Sequence, residues 1–297
     1  MTDRFFKPLS VTIGEQLEWA RHPLPRIPLG YPMFDGRTSG GAAQGELIQF
    51  LARSGVGKTT MALNLINNVC HGQGVPTVFF SLEMHGRYIV QRLAAIAFDE
   101  PTARIEKELF DTGRSPHLEN LSQLFPRLSI VDEPGLSFRQ MGKALQEAED
   151  EWGEKVRFVA VDYAELIGGV RSMTTAEKVD GVMKDAKDFA RKHDVLLLLL
   201  HQVGRGSGGE GHMPLAATSG RFGGEQAADY ILAAYRTHLE PGISHQEMLA
   251  RQHSFHLQFL KTRGGHEIHP QGVQHIYKPG SMRIEPPAPP RQLEIAA

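Results

Sequence analysis

Glu46-Leu-Ile-Gln-Phe-Leu-Ala52-Arg-Ser54-Gly55-Val56-Gly57-Lys58-Thr59-Thr60-Met-Ala-Leu-Asn-Leu-Ile66, running on to Cys70, is the stretch on which the reading of this chain turns. Leu47, Ile48, Phe50 and Leu51, bounded by Gly45, read as a buried strand. From Lys58 onward, Met61, Ala62, Leu65, Ile66, Val69 and Cys70 fall at helical spacing. A glycine-bearing loop between a strand and a helix is the setting of a phosphate-binding loop. Amides of Ser54, Gly55, Val56, Gly57, Lys58, Thr59 and Thr60, with the helix N-terminus behind them, are expected to cradle the phosphates, since unpaired N–H groups and the positive dipole end favour anions. Lys58 would reach the terminal phosphates of ATP, and Thr59 would hold Mg²⁺. Ala52 stands where this pattern more often carries glycine.

A chain of 297 residues can bury a sizeable core as one large domain or two small ones. Its hydrophobic content of 41% and charged content of 22% are those of a globular protein. With a formal net charge of -2, contact with nucleic acid must come from local basic loops, which argues against a general DNA coat protein. The single cysteine, Cys70, excludes an internal disulfide and falls on the apolar face of the first helix after the loop. No signal segment and no apolar run of transmembrane length is seen, so the expected compartment is the cytoplasm, away from any membrane.

Outward from the loop, apolar runs alternate with helical patterns. Val75 to Ser81, Leu128 to Val131, Val156 to Val161 and Val195 to Leu200 read as strands, followed by Tyr230 to Tyr235, Phe255 to Lys261 and about Val273 to Tyr277. Helices are expected through Ile89, Leu93 and Ile96, from an N-cap at Ser137 through Met141 and Leu145, and from Thr175 to His193. Strands separated by helices imply βαβ units, hence an α/β fold with a mostly parallel central sheet and helices on both faces. Residues 1–27 read as an arm or linker in which Ile13 to Ala20 forms a short helix capped by Thr12 and Glu15. That arm either packs on its own domain or docks on a neighbouring subunit through Trp19. Residues 28–285 form the main domain, and Pro-rich residues 286–297 read as a disordered tail.

In such sheets ligands gather at the carboxyl ends of the strands. Phe158 to Val161 leads into Asp162, the expected second Mg²⁺ ligand. Glu83, at the end of the Val75 to Ser81 strand, is the first choice to orient or deprotonate the attacking water, and Glu165 is its rival. Gln202 follows His201 at the end of the leucine-rich strand, where an amide can report the γ-phosphate to the glycine-rich loop Gly204 to His212. Lys261 and Arg263 point to one side of an extended segment, either as an exposed basic hairpin or as an arginine finger that completes a neighbour's site. His253-x-x-His256 and His266-x-x-His269 lack the third ligand and spacing of a zinc site.

Together these segments resemble the RecA-fold motor domain of DnaB-type replicative hexameric helicases, in order over about residues 28 to 285. Phe80-Ser-Leu-Glu83-Met84 is similar to the family's motif with the catalytic Glu, and Ile130 to Ser137 to its strand and turn before the next helix. Val161-Asp162-Tyr163 resembles its Walker B, His201-Gln202-Val203 its sensor, Glu225 to Asp229 its Glu-Gln-Asp-Ala-Asp segment, and Lys261-x-Arg263 the pair given to the adjoining subunit's ATP.

The resemblance implies a ring of six copies, ATP with Mg²⁺ at each subunit interface, and single-stranded DNA in the channel. By location, Arg171 and Lys178 after the fourth strand, and Arg205 and Arg221 after the sensor strand, are the expected DNA contacts. Two departures stand out: about thirty residues precede the motor where the family carries a helical collar domain, and Glu165 replaces the usual Gln. The sequence therefore reads as an ATP-hydrolysing replicative DNA helicase motor. A recombination ATPase of the RecA group and a nucleotide-gated helicase loader are its rivals.

Overall fold

The computed structural model describes residues 7–21, 26–169, 175–204, 211–220, 224–264 and 268–287. At its centre lies β1 (Leu47–Arg53), all seven residues of which are buried. Beside it runs β5 (Leu196–Val203), with Leu47 opposite Leu197 and Arg53 opposite Val203 in parallel register. A strand walled by helices on both faces needs apolar side chains in both directions, which the unbroken leucine run of β5 supplies. The other strands are β2 (Thr77–Ser81), β3 (Leu128–Val131), β4 (Phe158–Asp162), β6 (Tyr230–Tyr235), β7 (Ser254–Thr262), β8 (His269–Lys278) and β9 (Arg283–Glu285). Among the described residues they form one sheet in the order β3-β2-β4-β5-β1-β6-β7-β8-β9. From β3 to β6 the neighbours are parallel, and from β6 to β9 antiparallel.

Alternate residues of each strand feed two separate cores. One contains Ile48, Phe50, Phe79, Phe158, Leu196 and Leu198. It is closed by α3 (Lys58–Ile66), whose last turns widen into a π-helical stretch at Asn67–His71, by α4 (Gly86–Phe98), and by α5 (Thr102–Thr112) and α6 (Pro116–Leu124). The opposite core holds Leu47, Leu51, Val78, Phe80, Val159, Leu197 and Leu199 under α7 (Phe138–Trp152) and α8 (Thr175–His193). Each such side chain contributes about 1.5–3 kcal/mol when fully buried, so the two cores hold the strand ends rigidly in register.

The approach to β1, expected as turns, contains one helical turn, α2 (Pro32–Asp35). The Asp35 carboxylate accepts from the amides of Leu29, Gly30 and Tyr31 at 2.7, 2.8 and 3.0 Å, which fixes the segment. Gly41 closes it: its φ is +126°, and a Cβ there would stand 2.2 Å from the Ile27 carbonyl oxygen. The arm helix α1 (Leu9–Arg21) begins earlier than Thr12, directly after Pro8, whose carbonyl accepts from Val11 N at 3.0 Å. Thr12 is therefore interior and not a cap. Two short helices, α9 (Gly224–Ala227) and α10 (His245–Arg251), and strand β9 add to the expected elements. Ser137 caps α7 as expected, in a reciprocal box with Gln140.

One residue of β1 works against this packing. Gln49 is fully buried, and neither its amide nitrogen nor its oxygen meets a partner among the described residues. An unsatisfied buried amide costs about 1–3 kcal/mol. Gln49→Met keeps the volume and removes the unpaired groups, so melting should rise by about 2–4 °C per kcal/mol recovered. A lower melting temperature would mean that the amide is paired in solution.

Candidate active site

β1 delivers its last residue, Arg53, to the carboxyl edge of the sheet, where the backbone turns through Ser54 to Gly57 into α3. Gly57 makes the turn possible with φ 111°, a left-handed value that suits glycine. Val56 is buried beneath the loop while Ser54 and Gly55 are exposed, so the loop presents its backbone outward. The first amides of α3, at Lys58, Thr59 and Thr60, have no intrahelical acceptor and converge on the same space.

β5 lies between β1 and β4, so their carboxyl ends bring three more groups to this loop. Lys58 Nζ donates to Gln202 Oε1 at 2.9 Å and stands 5.3 Å from the centre of the Tyr163 ring. Thr59 Oγ1 donates to Asp162 Oδ2 at 2.5 Å. Burial lowers the Lys58 ammonium from its usual range, opposed by the charges of Asp162, Glu83 and Glu165. Burial likewise raises the Asp162 carboxyl, opposed by the Thr59 hydrogen bond and by Lys58. The other Asp162 oxygen, Oδ1, is buried with no partner among the described residues. A hydroxyl beside a carboxylate with one idle oxygen is a hard oxygen donor set, and it fits Mg²⁺.

The two rival carboxylates stand in different settings. Glu83 follows β2 in a bend held by Ser81 Oγ on the Met84 carbonyl at 2.6 Å and by Leu82 N on the Asp162 carbonyl at 2.8 Å. It is exposed, yet its charge acts on Lys58, Asp162 and Tyr163. Glu165 lies in the 3-10 turn Ala164–Leu166 after β4, and its Oε1 accepts from the backbone amide of Gln202 at 3.1 Å. That second contact has no local sequence signature, because it joins residues 37 apart.

Lys261 and Arg263 do not join this group. β7 runs antiparallel to β6, with Thr262 opposite Tyr230, so the pair lies at the amino ends of the parallel strands, opposite the phosphate loop. The six residues of β6 separate the two ends, about 20 Å of strand. Lys261 Nζ donates to the Ala228 carbonyl at 2.9 Å, and Arg263 donates to the Gln226 carbonyl at 2.7 Å and pairs with Asp229 at 3.3 Å. Both cations thus address one side, as the alternation of an extended strand requires. Asp229 is an unforeseen centre here: it also accepts from Leu47 N at 2.8 Å and Lys187 Nζ at 2.5 Å.

Of the expected DNA contacts, Lys178 donates to the Glu165 carbonyl at 2.7 Å, while Arg171, Arg205 and Arg221 lie outside the described residues. His256 stacks on Tyr235 with ring centres 4.5 Å apart, and His266 lies outside the described residues. A cleft of about 610 Å³ between α7 and α8, lined by Arg139, Lys143, Asp185 and Lys192, shares no residue with the phosphate loop. Donor chemistry, not concavity, locates the site. No helix among the described residues is long and apolar enough to cross a membrane.

Residues 27–277 match the family described as DnaB-like helicase C terminal domain. The chain is 30% identical over 230 residues to replicative DNA helicase DnaB of Treponema pallidum (strain Nichols), covering 76% of this chain and 51% of that one. It is 32% identical over 190 residues to replicative DNA helicase DnaB of Nostoc sp. (strain PCC 7120), covering 62% and 21%. The chain thus spans about half, or less, of the length of these relatives. The solved ATPase domain of G40P superposes with a TM-score of 0.75 at 20% identity over 94% of this chain and 97% of that one, a likeness of fold. With a RecA-like sheet and a family match over most of its length, the chain belongs to the DnaB-like helicase C-terminal domain family.

Proposed function

We propose that this chain is the motor of a replicative DNA helicase that hydrolyses ATP with Mg²⁺ at the interfaces of a ring of six of its own copies and moves along single-stranded DNA. The observation that carries this reading is the placement of Lys261 and Arg263 at the end of the sheet remote from Lys58. Cations there serve a phosphate only if it belongs to another copy. Lys58, Gln202 and the α3 amides hold the triphosphate, Thr59 and Asp162 hold the Mg²⁺, and Glu83 orients the attacking water. Glu83 is preferred to Glu165 because it is accessible, whereas Glu165 is engaged with a backbone amide. When bound, the metal ion neutralises charge on the phosphate oxygens. The α1 arm, with Leu9, Val11, Ile13 and Leu17 exposed, suits contact with the adjoining copy.

A strand-displacement assay on a forked duplex tests the reading. Unwinding is expected with ATP and not with a non-hydrolysable analogue. ATP turnover without unwinding under either condition would favour a loader, and helical filaments on DNA in electron micrographs a recombination ATPase.

A further inference from the structure

Behind Gln202 lies a largely buried pair, His201 and Glu165, that the hydrolytic scheme does not use. β4 and β5 stay in ladder register only as far as Val161 opposite Leu199. Beyond that point the Glu165 carboxylate takes the place of a strand partner, accepting the Gln202 amide at 3.1 Å through Oε1. His201 Nδ1 stands 3.7 Å from the same oxygen. Glu165 Oε2 and His201 Nδ1 are both buried with no hydrogen-bond partner among the described residues. From the other side, Lys178 of α8 holds the Glu165 main-chain carbonyl at 2.7 Å, and Gln202 Oε1 takes Lys58 Nζ at 2.9 Å. A continuous path therefore runs from α8 through Glu165 and Gln202 to the lysine of the phosphate loop.

We infer that Glu165 is a positioning residue for the terminal phosphate: it sets Gln202, and through it Lys58, and its ionisation weakens the grip of the site on a triphosphate. The inference rests on the reading that Lys58 holds that phosphate. Burial pushes the Glu165 carboxyl up to about 7, against the lowering effects of its backbone hydrogen bonds and of Lys58 and Lys178. His201 is pulled down to about 4 by burial and by Lys58, so it is neutral near pH 7 and supplies no charge to offset an ionised Glu165. Around the pair, Lys58 of α3 and Lys178 of α8 favour ionised Glu165, Asp162 and Glu83 share the Lys58 charge with it, and Tyr163 feels all three carboxylates. The sign follows. Below about pH 7 Glu165 is neutral. Above it, a negative charge stands behind Gln202, competes for Lys58 and repels an incoming γ-phosphate.

Equilibrium binding of a fluorescent non-hydrolysable ATP analogue and of ADP, each with Mg²⁺, across roughly pH 6 to 8.5 tests this on the full chain. Wild-type affinity for the triphosphate should fall ~10-fold across that range, with a much smaller change for ADP, since a shift of about one pKa unit is tenfold in binding. Glu165→Gln keeps an oxygen for the Gln202 amide and cannot ionise, so its triphosphate profile should be flat and its melting unchanged. Glu165→Ala releases the amide and should weaken the triphosphate at every pH. If Glu165→Gln binds both nucleotides and keeps the wild-type slope, or if the wild type binds triphosphate with no slope, the positioning role is wrong. If the wild type binds neither nucleotide at any pH, the nucleotide reading has failed and the inference falls with it.

Discussion

A Lys58→Ala protein should lose ATP hydrolysis by ~10³-fold or more, about 4 kcal/mol of transition-state stabilisation. Its melting temperature should stay close to that of the wild type. The basis is the position of the ammonium at the mouth of the phosphate loop. It is mostly buried, the carboxylates of Asp162, Glu83 and Glu165 act on its charge, and it donates to Gln202. Without it, three carboxylates face the incoming triphosphate with no ammonium among them. Alanine removes the ammonium and keeps a good helix former at the start of α3, so β1 and α3 should hold their packing. Steady-state turnover with a binding measurement separates the two effects: loss of affinity and of turnover together is expected. Turnover within a few-fold of wild type would remove this loop from the chemistry.

Arg263→Ala should be as damaging, ~10³-fold to 10⁵-fold in turnover, while leaving nucleotide affinity of the isolated chain nearly unchanged. The side chain is about half exposed, so its pairing with Asp229 adds little to stability. The hairpin holds its place without the guanidinium, because Arg263 N donates to the Asp229 carbonyl at 2.9 Å. Mixing Lys58→Ala with Arg263→Ala then makes a sharper test. In a head-to-tail ring, a good loop from one variant meets a good arginine from the other at about a quarter of randomly mixed interfaces. Partial recovery of activity on mixing is expected, up to about that fraction. Demonstrated co-assembly with no recovery at any ratio would show that Arg263 does not act on a neighbour.

The fold was legible where one strand or helix carries its own pattern. β1, the glycine-bearing loop and α3 were visible as apolar strand, turn and amphipathic helix, and β5 as a leucine run that only a doubly covered strand requires. The Ser137 cap was legible because both members of the box lie within four residues. What depends on distant partners was not. The register shift between Ile231 and Leu232, which inserts Leu260 as an extra residue of β7 before Lys261, is decided by pairing across strands. The hold of Glu165 on Gln202, and of Asp229 on Leu47 and Lys187, joins a side chain to groups dozens of residues away. The start of α1 was misplaced because the Thr12 and Glu15 spacing imitates a cap, whereas Pro8 opens the helix one turn sooner. The direction of Lys261 and Arg263 followed from alternation, but their distance from Lys58 needed the antiparallel turn of β7.

Asp229 ties three segments together. Leu47 and Asp229 exchange bonds at 2.8 and 2.9 Å, Lys187 of α8 clamps the same carboxylate at 2.5 Å, and Arg263 N rests on the Asp229 carbonyl at 2.9 Å. Leu47 is the first residue of the strand whose far end is the phosphate loop. The strand therefore carries the phosphate loop at one end and, through Asp229, steadies the Arg263 segment at the other. On the proposed reading, the same seven buried residues join the phosphate loop of one copy to the cation that it offers the next.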